Sequence, residues 1–160
     1  MKNFLTILFP LLILIGFMAC QTDNNLIPTT TNPDNNGTNP SDTISNRLSI
    51  RIGASSLTAT LLTNPTVTAF KTRLPMTVLM SELNGNEKLY QFPNNLPTRA
   101  VNPGTIQTGD LMLYGSSTLV LFYQTFPTSY SYTSLGRIDN PSGLAAALGS
   151  GNVTVTFELN

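Results

Sequence analysis

The sequence predicts an all-β domain with two short helices, a closed eight-stranded antiparallel barrel capped by those helices. Apolar residues alternate with a period of two from residue 47 to the C-terminus, and tight-turn signals separate the alternating runs. Eight short strands in about 115 residues exceed what an open sheet of this size carries without curling, so closure follows.

Leu48, Ile50 and Ile52 point one way along the first strand, and Leu57, Ala59 and Leu61 do so along the second, after a break at Gly53-Ala54. Asn64-Pro65 supplies an N-cap and first-turn proline, and Val67, Phe70 and Leu74 follow at helical spacing until Pro75. Met76 to Leu83 reads as the third strand, Asn84-Gly85-Asn86 as a hairpin turn and Glu87 to Phe92 as the fourth strand. Prolines 93, 97 and 103 with Gly104 mark a long loop. Asp110 to Tyr114 and Thr118 to Gln124 form a second hairpin about Gly115-Ser116-Ser117, and the apolar run Leu119 to Tyr123 suits a strand covered on both faces. After a tyrosine-rich segment, Leu135 to Ile138 is the seventh strand. Asn140-Pro141 announces a second helix through Leu144, Ala145 and Leu148, closed by Gly149, and Val153 to Leu159 is the eighth strand.

Ahead of the barrel, Lys2 and the apolar run Phe4 to Met18 form an export signal, too short for the roughly 20 residues of a membrane span. The stretch Phe17-Met18-Ala19-Cys20 resembles the lipobox of bacterial lipoproteins, which implies cleavage before Cys20 and acyl chains, palmitate among them, on that cysteine. An ordinary signal peptide cut near Ala19 is the alternative. The expected organisation is a signal peptide over 1–19, a disordered lipid-anchored tether over 20–46 and the barrel over 47–160. The tether is rich in Asn, Thr, Pro and Ser, with Leu26, Ile27 and Ile44 its only large apolar residues. The expected location is the cell envelope, held to the membrane through Cys20. Gln21, where an Asp would favour the inner membrane, points to the outer membrane if the cell is Gram-negative.

Eight Lys and Arg balance eight Asp and Glu, leaving no field to gather phosphates, so nucleic acid is not an expected partner. The chain has no His, no Trp and one Cys, which argues against zinc, copper and Ser-His-Asp chemistry. No metal and no cofactor is expected. Glu82 and Glu87 flank a turn, where exposure is the default, and Asp110 reads as a turn acid.

The segments Leu83 to Lys88, Gly109 to Tyr114, Phe126 to Tyr132, Leu135 to Ile138 and Gly143 to Gly149 together resemble the small bacterial cyclophilin-like domains. The resemblance implies the cyclophilin barrel and raises prolyl isomerisation as an activity. True cyclophilins carry an Arg on the third strand that polarises the proline amide against a barrier of about 18 to 20 kcal/mol, and a Trp and a His on the rim. The third strand here has no Arg, so no catalytic residue is carried over. Arg99 and Arg137 are the cations that could substitute. Tyr114, Phe122, Tyr123, Phe126, Tyr130, Tyr132 and Arg137 are the candidate groove residues, with core packing the competing role for Phe122 and an ion pair to Asp139 or Asp110 that for Arg137. The leading expectation is a non-catalytic binding module whose contact surface is Phe126 to Tyr132, its ligand a peptide, protein or small molecule. An unconventional prolyl isomerase acting on envelope proteins and a small-molecule binder at the barrel mouth are the alternatives.

Overall fold

The computed structural model describes residues 45–160. The expected signal peptide, Cys20 and the tether up to residue 44 lie outside the described residues. Ten strands and two helices follow in chain order: β1 Arg47–Ile52, β2 Ser55–Leu61, α1 Pro65–Lys71, β3 Met76–Leu83, β4 Glu87–Gln91, β5 Thr105–Ile106, β6 Asp110–Tyr114, β7 Thr118–Phe122, β8 Phe126–Pro127, β9 Tyr132–Ile138, α2 Leu144–Leu148 and β10 Val153–Leu159. Eight of them close a barrel in the order β1-β10-β3-β4-β7-β6-β9-β2, every neighbouring pair antiparallel. β5 and β8 pair only with each other, outside the barrel.

Alternation decides which side chains enter the barrel. Leu48, Ile50 and Ile52 of β1 are buried while Arg47 and Arg51 are exposed, and Val155 and Phe157 of β10 continue the same interior. β7 is covered on both faces: Leu119 and Leu121 join the interior cluster, whereas Val120 and Phe122 join an outer one with Ile106, Met112 and Tyr132. The fold therefore has two apolar layers, one inside the barrel and one trapped between its wall and the β5–β8 flap.

The helices stop opposite mouths. Phe70 of α1 meets Phe92, just beyond the end of β4, and Phe157 near the end of β10, both edge-on at 6.4 Å. α2 lies at the other mouth, where the carbonyl of its C-cap residue Gly149 accepts a 2.8 Å hydrogen bond from Lys88 near the start of β4.

Several element ends differ from expectation. α1 ends at Lys71, short of Leu74, and β4 and β7 stop at Gln91 and Phe122. α2 begins at Leu144 because Asn140 Oδ1 caps a local turn through the Ser142 N–H at 3.1 Å, and Gly143 at φ 80° separates that turn from the helix. β9 starts three residues early, at Tyr132, where polar-looking sequence conceals the buried Tyr132 and Thr133. Glu82 is an inward-facing part of a polar cluster rather than an exposed turn acid, its carboxylate held by Lys88 and Tyr123.

Candidate ligand groove

The barrel wall made by β4, β7 and β6 presents one outward row from each strand. Antiparallel pairing aligns Leu89 with Val120, Gln91 with Thr118, Val120 with Met112, and Thr118 with Tyr114. Leu89 and Val120 form an apolar floor, the β3–β4 turn (Leu83, Asn84 and Asn86) one wall, and Tyr114, Tyr130, Tyr132 and Phe126 the other. The groove they enclose measures about 430 Å³.

Its aromatic wall is a continuous chain of ring contacts. Tyr130 meets Tyr114 edge-on at 6.0 Å, Tyr114 meets Tyr132 at 5.5 Å, Tyr132 meets Phe122 edge-on at 5.5 Å, and Phe122 meets Phe126 at 5.8 Å. Such offset and edge geometries add about 0.5 to 1.5 kcal/mol per pair beyond burial. The base of the chain is fixed: Phe122 is wholly buried, and Phe126 is held by pairing with Ile106 across the β5–β8 flap. Its tip is open, with Tyr114 45% and Tyr130 62% exposed.

Polar side chains complete the groove, Asn84, Asn86, Glu87, Gln91 and Thr118. Asn86 Oδ1 is buried without a hydrogen-bond partner, an uncommon state for a side-chain acceptor. Burial raises the pKa of Glu87, and the charge of Glu82 adds to the effect. Burial raises that of Tyr132 as well, reinforced by Glu87. No Lys or Arg lines the groove among the described residues.

Of the seven candidate residues, Tyr114, Phe126, Tyr130 and Tyr132 converge on this groove and Phe122 lies beneath them. Tyr123 belongs to the α2 mouth, where its hydroxyl donates to Glu82 Oε1 at 2.8 Å; burial and that carboxylate push its pKa up to about 12. Arg137 sits over the β2–β9 seam in a separate shallow cleft, its Nε 3.7 Å from Asp110 Oδ1. Asp139, the other carboxylate anticipated for it, pairs with Arg47 at 3.0 Å. The reading from sequence missed Asn86, Glu87 and Gln91 as groove residues and Lys88 as a buried charge. For Lys88 a signal exists: Tyr90 and Phe92 at i+2 and i+4 belong to the interior, so period-two alternation turns Lys88 inward as well.

A family model described as the cyclophilin-like family matches residues 50–158. The solution structure of a hypothetical protein from Archaeoglobus fulgidus is similar, with a TM-score of 0.56 and 20% identity over 73% of this chain and 96% of that one. At that identity the likeness concerns the fold. No curated protein matches the sequence.

Proposed function

The chain belongs to the cyclophilin-like family, and on that premise we propose that its barrel is a non-catalytic binding module taking an extended, uncharged peptide segment in the tyrosine-walled groove. The observation that carries this is the exposed Tyr114–Tyr130 pair beside an apolar floor: two large rings stand open to water where the rest of the aromatic chain is packed. Tyrosines offer large contact area at low cost in conformational entropy. The groove's one ionisable carboxyl is Glu87, whose charge burial disfavours, so an uncharged segment suits it better than an acidic one.

The non-catalytic reading rests on where the cations are. A prolyl amide is polarised by a positive group beside it, and Arg137 and Arg99 line two other clefts. The same reading places the barrel outside the cytoplasm, carried on a lipid at Cys20, with the lipobox-like Phe17 to Cys20 as its support.

The deciding experiment is NMR exchange spectroscopy on the protein mixed with a tetrapeptide containing a central Ala-Pro bond. Shifts confined to amides around Leu89, Val120 and Tyr130, with cis/trans exchange no faster than in the peptide alone, are expected. Accelerated exchange would make the protein an isomerase, and unchanged spectra at millimolar peptide would remove the groove from consideration as a peptide site.

A further inference from the structure

On the other side of Tyr132 lies a second cleft, of about 630 Å³. One wall is the corner where β2 runs into α1, from Leu62 to Thr66; the other is the loop from Pro97 to Pro103. That loop is fastened at three points: Thr66 Oγ1 donates to the Pro97 carbonyl at 2.8 Å, the Arg99 N–H to Thr133 Oγ1 at 2.9 Å, and Val101 pairs with Tyr132 through two backbone bonds of 2.9 and 3.0 Å. Two aliphatic side chains line the cleft yet remain open to solvent, Leu62 at 47% and Val101 at 63% exposure. Arg99 lines it too. Among the described residues it is the one basic side chain without a hydrogen bond, ion pair or ring contact: Arg47, Arg51, Lys88 and Arg137 meet carboxylates, Lys71 meets Asn46, and Arg73 meets backbone carbonyls and Phe92.

We propose that this cleft is the seat of the chain's own segment Asp42-Thr43-Ile44, with the Asp42 carboxylate on Arg99 and the Ile44 side chain against Leu62 and Val101. Position is the first argument. Leu61 N–H donates to the Asn46 carbonyl at 2.8 Å and Asn46 Nδ2 to Thr63 Oγ1 at 3.4 Å, and Leu62 and Thr63 belong to the cleft wall. Ile44 is thus two residues from an attachment point on the wall, and an extended run from Asn46 back to Asp42 reaches about 13 Å.

Charge is the second argument. Residues 21–44 carry Asp23, Asp34 and Asp42 with no Lys or Arg, whereas residues 45–160 carry seven basic and five acidic side chains. Spacing is the third: in an extended chain residues i and i+2 face the same way, so Asp42 and Ile44 together match a cleft offering one guanidinium and two aliphatic side chains. Leu26 and Ile27, the other large apolar residues between Cys20 and the barrel, would have to close a far longer loop.

Amide hydrogen exchange on the full chain tests this. Thr43 and Ile44 should exchange about tenfold more slowly than residues 29–36, equivalent to about 1.4 kcal/mol of seating. Arg99→Ala and Asp42→Asn should each abolish that difference, and the charge swap Asp42→Arg with Arg99→Asp should restore it. Core amides such as Leu111 and Leu121, protected alike in every variant, show that the barrel is intact. Equal exchange across residues 29–44 would overturn the proposal, as would protection that survives Arg99→Ala or disappears with Lys71→Ala. Protection that grows with protein concentration would assign the cleft to a second copy of the chain and also overturn it.

Discussion

The ammonium of Lys88, wholly buried, donates to the carboxylate of Glu82 across the β3–β4 hairpin and to the carbonyls of Gly149 and Gly151 at 2.8 and 2.6 Å. All three of its protons are thereby used, and Tyr123 donates to Glu82 from the other side. Full satisfaction makes an interior cation tolerable, and two of the acceptors belong to the segment that follows α2, so the cluster fastens that mouth of the barrel shut.

Lys88→Ala leaves Glu82 without its cation partner and the Gly149 and Gly151 carbonyls without this donor. Loss of one partner of a buried pair costs about 3 to 5 kcal/mol. The low end is expected because Glu82 retains Tyr123 and the Gly85 N–H and is 20% exposed. Urea unfolding should show a fall of about 3 kcal/mol, and amides of residues 144–151 should lose protection first.

Acid should act on this cluster in a definite direction. Burial alone would raise the pKa of Glu82, but hydrogen bonds from Lys88, Tyr123 and the Gly85 N–H outweigh it, leaving the value below 4.5. A depressed folded-state value contributes stability above the unfolded value, lost as pH falls through the folded one. Glu87 has the opposite sign: its raised value favours the folded state below 4.5, and that contribution is lost as pH rises through the folded value. Urea midpoints measured from pH 2 to 7 should lose part of their acid decline in Glu82→Gln and part of their decline above 4.5 in Glu87→Gln.

The two tyrosines of the Phe126–Tyr132 segment should separate. Tyr130 is 62% exposed and touches Tyr114, so Tyr130→Ala should leave the unfolding midpoint almost unchanged while weakening peptide affinity about tenfold. Tyr132 is 8% exposed between Tyr114 and Phe122, so Tyr132→Ala should destabilise the fold by about 3 kcal/mol. Parallel calorimetry and NMR titration of the two variants check the split.

Gly136→Ala should be among the most damaging single changes. A Cβ at this position would lie 2.4 Å from the Thr60 carbonyl oxygen and 2.9 Å from Leu61 Cα. Both are backbone atoms of the β2 strand paired with it, so the β2–β9 seam must part to make room. The expected result is a shift of the Leu61 and Gly136 amide resonances and a loss of several kcal/mol in urea unfolding, about 3 or more.

The barrel was legible because β1, β2, β3 and β10 set apolar residues at every second position, and β7 shows as an unbroken apolar run. β5 and β8 escaped notice because two residues cannot display a period. Asn140-Pro141 misled because the same side-chain acceptor that caps a helix also caps a turn, and only the φ of Gly143 distinguishes them. The tyrosines of the groove stood out by composition, but their grouping depends on register: Tyr114 faces Tyr132 through the β6–β9 pairing, beyond the irregularity between Leu111 and Met112. Lys88 stayed hidden because a lysine is read as solvated unless the alternation of its neighbours is followed through it.

The first and last barrel strands are partners, with Leu48 opposite Leu159, 111 positions away along the chain. No ribosome can deliver a finished barrel before β10 leaves it, and until then β1 lacks one of its two neighbours. Contacts so distant in sequence slow folding. Closure of this barrel is therefore the last event that its own chain order permits, because the strand that seals it is the last of the ten to be made.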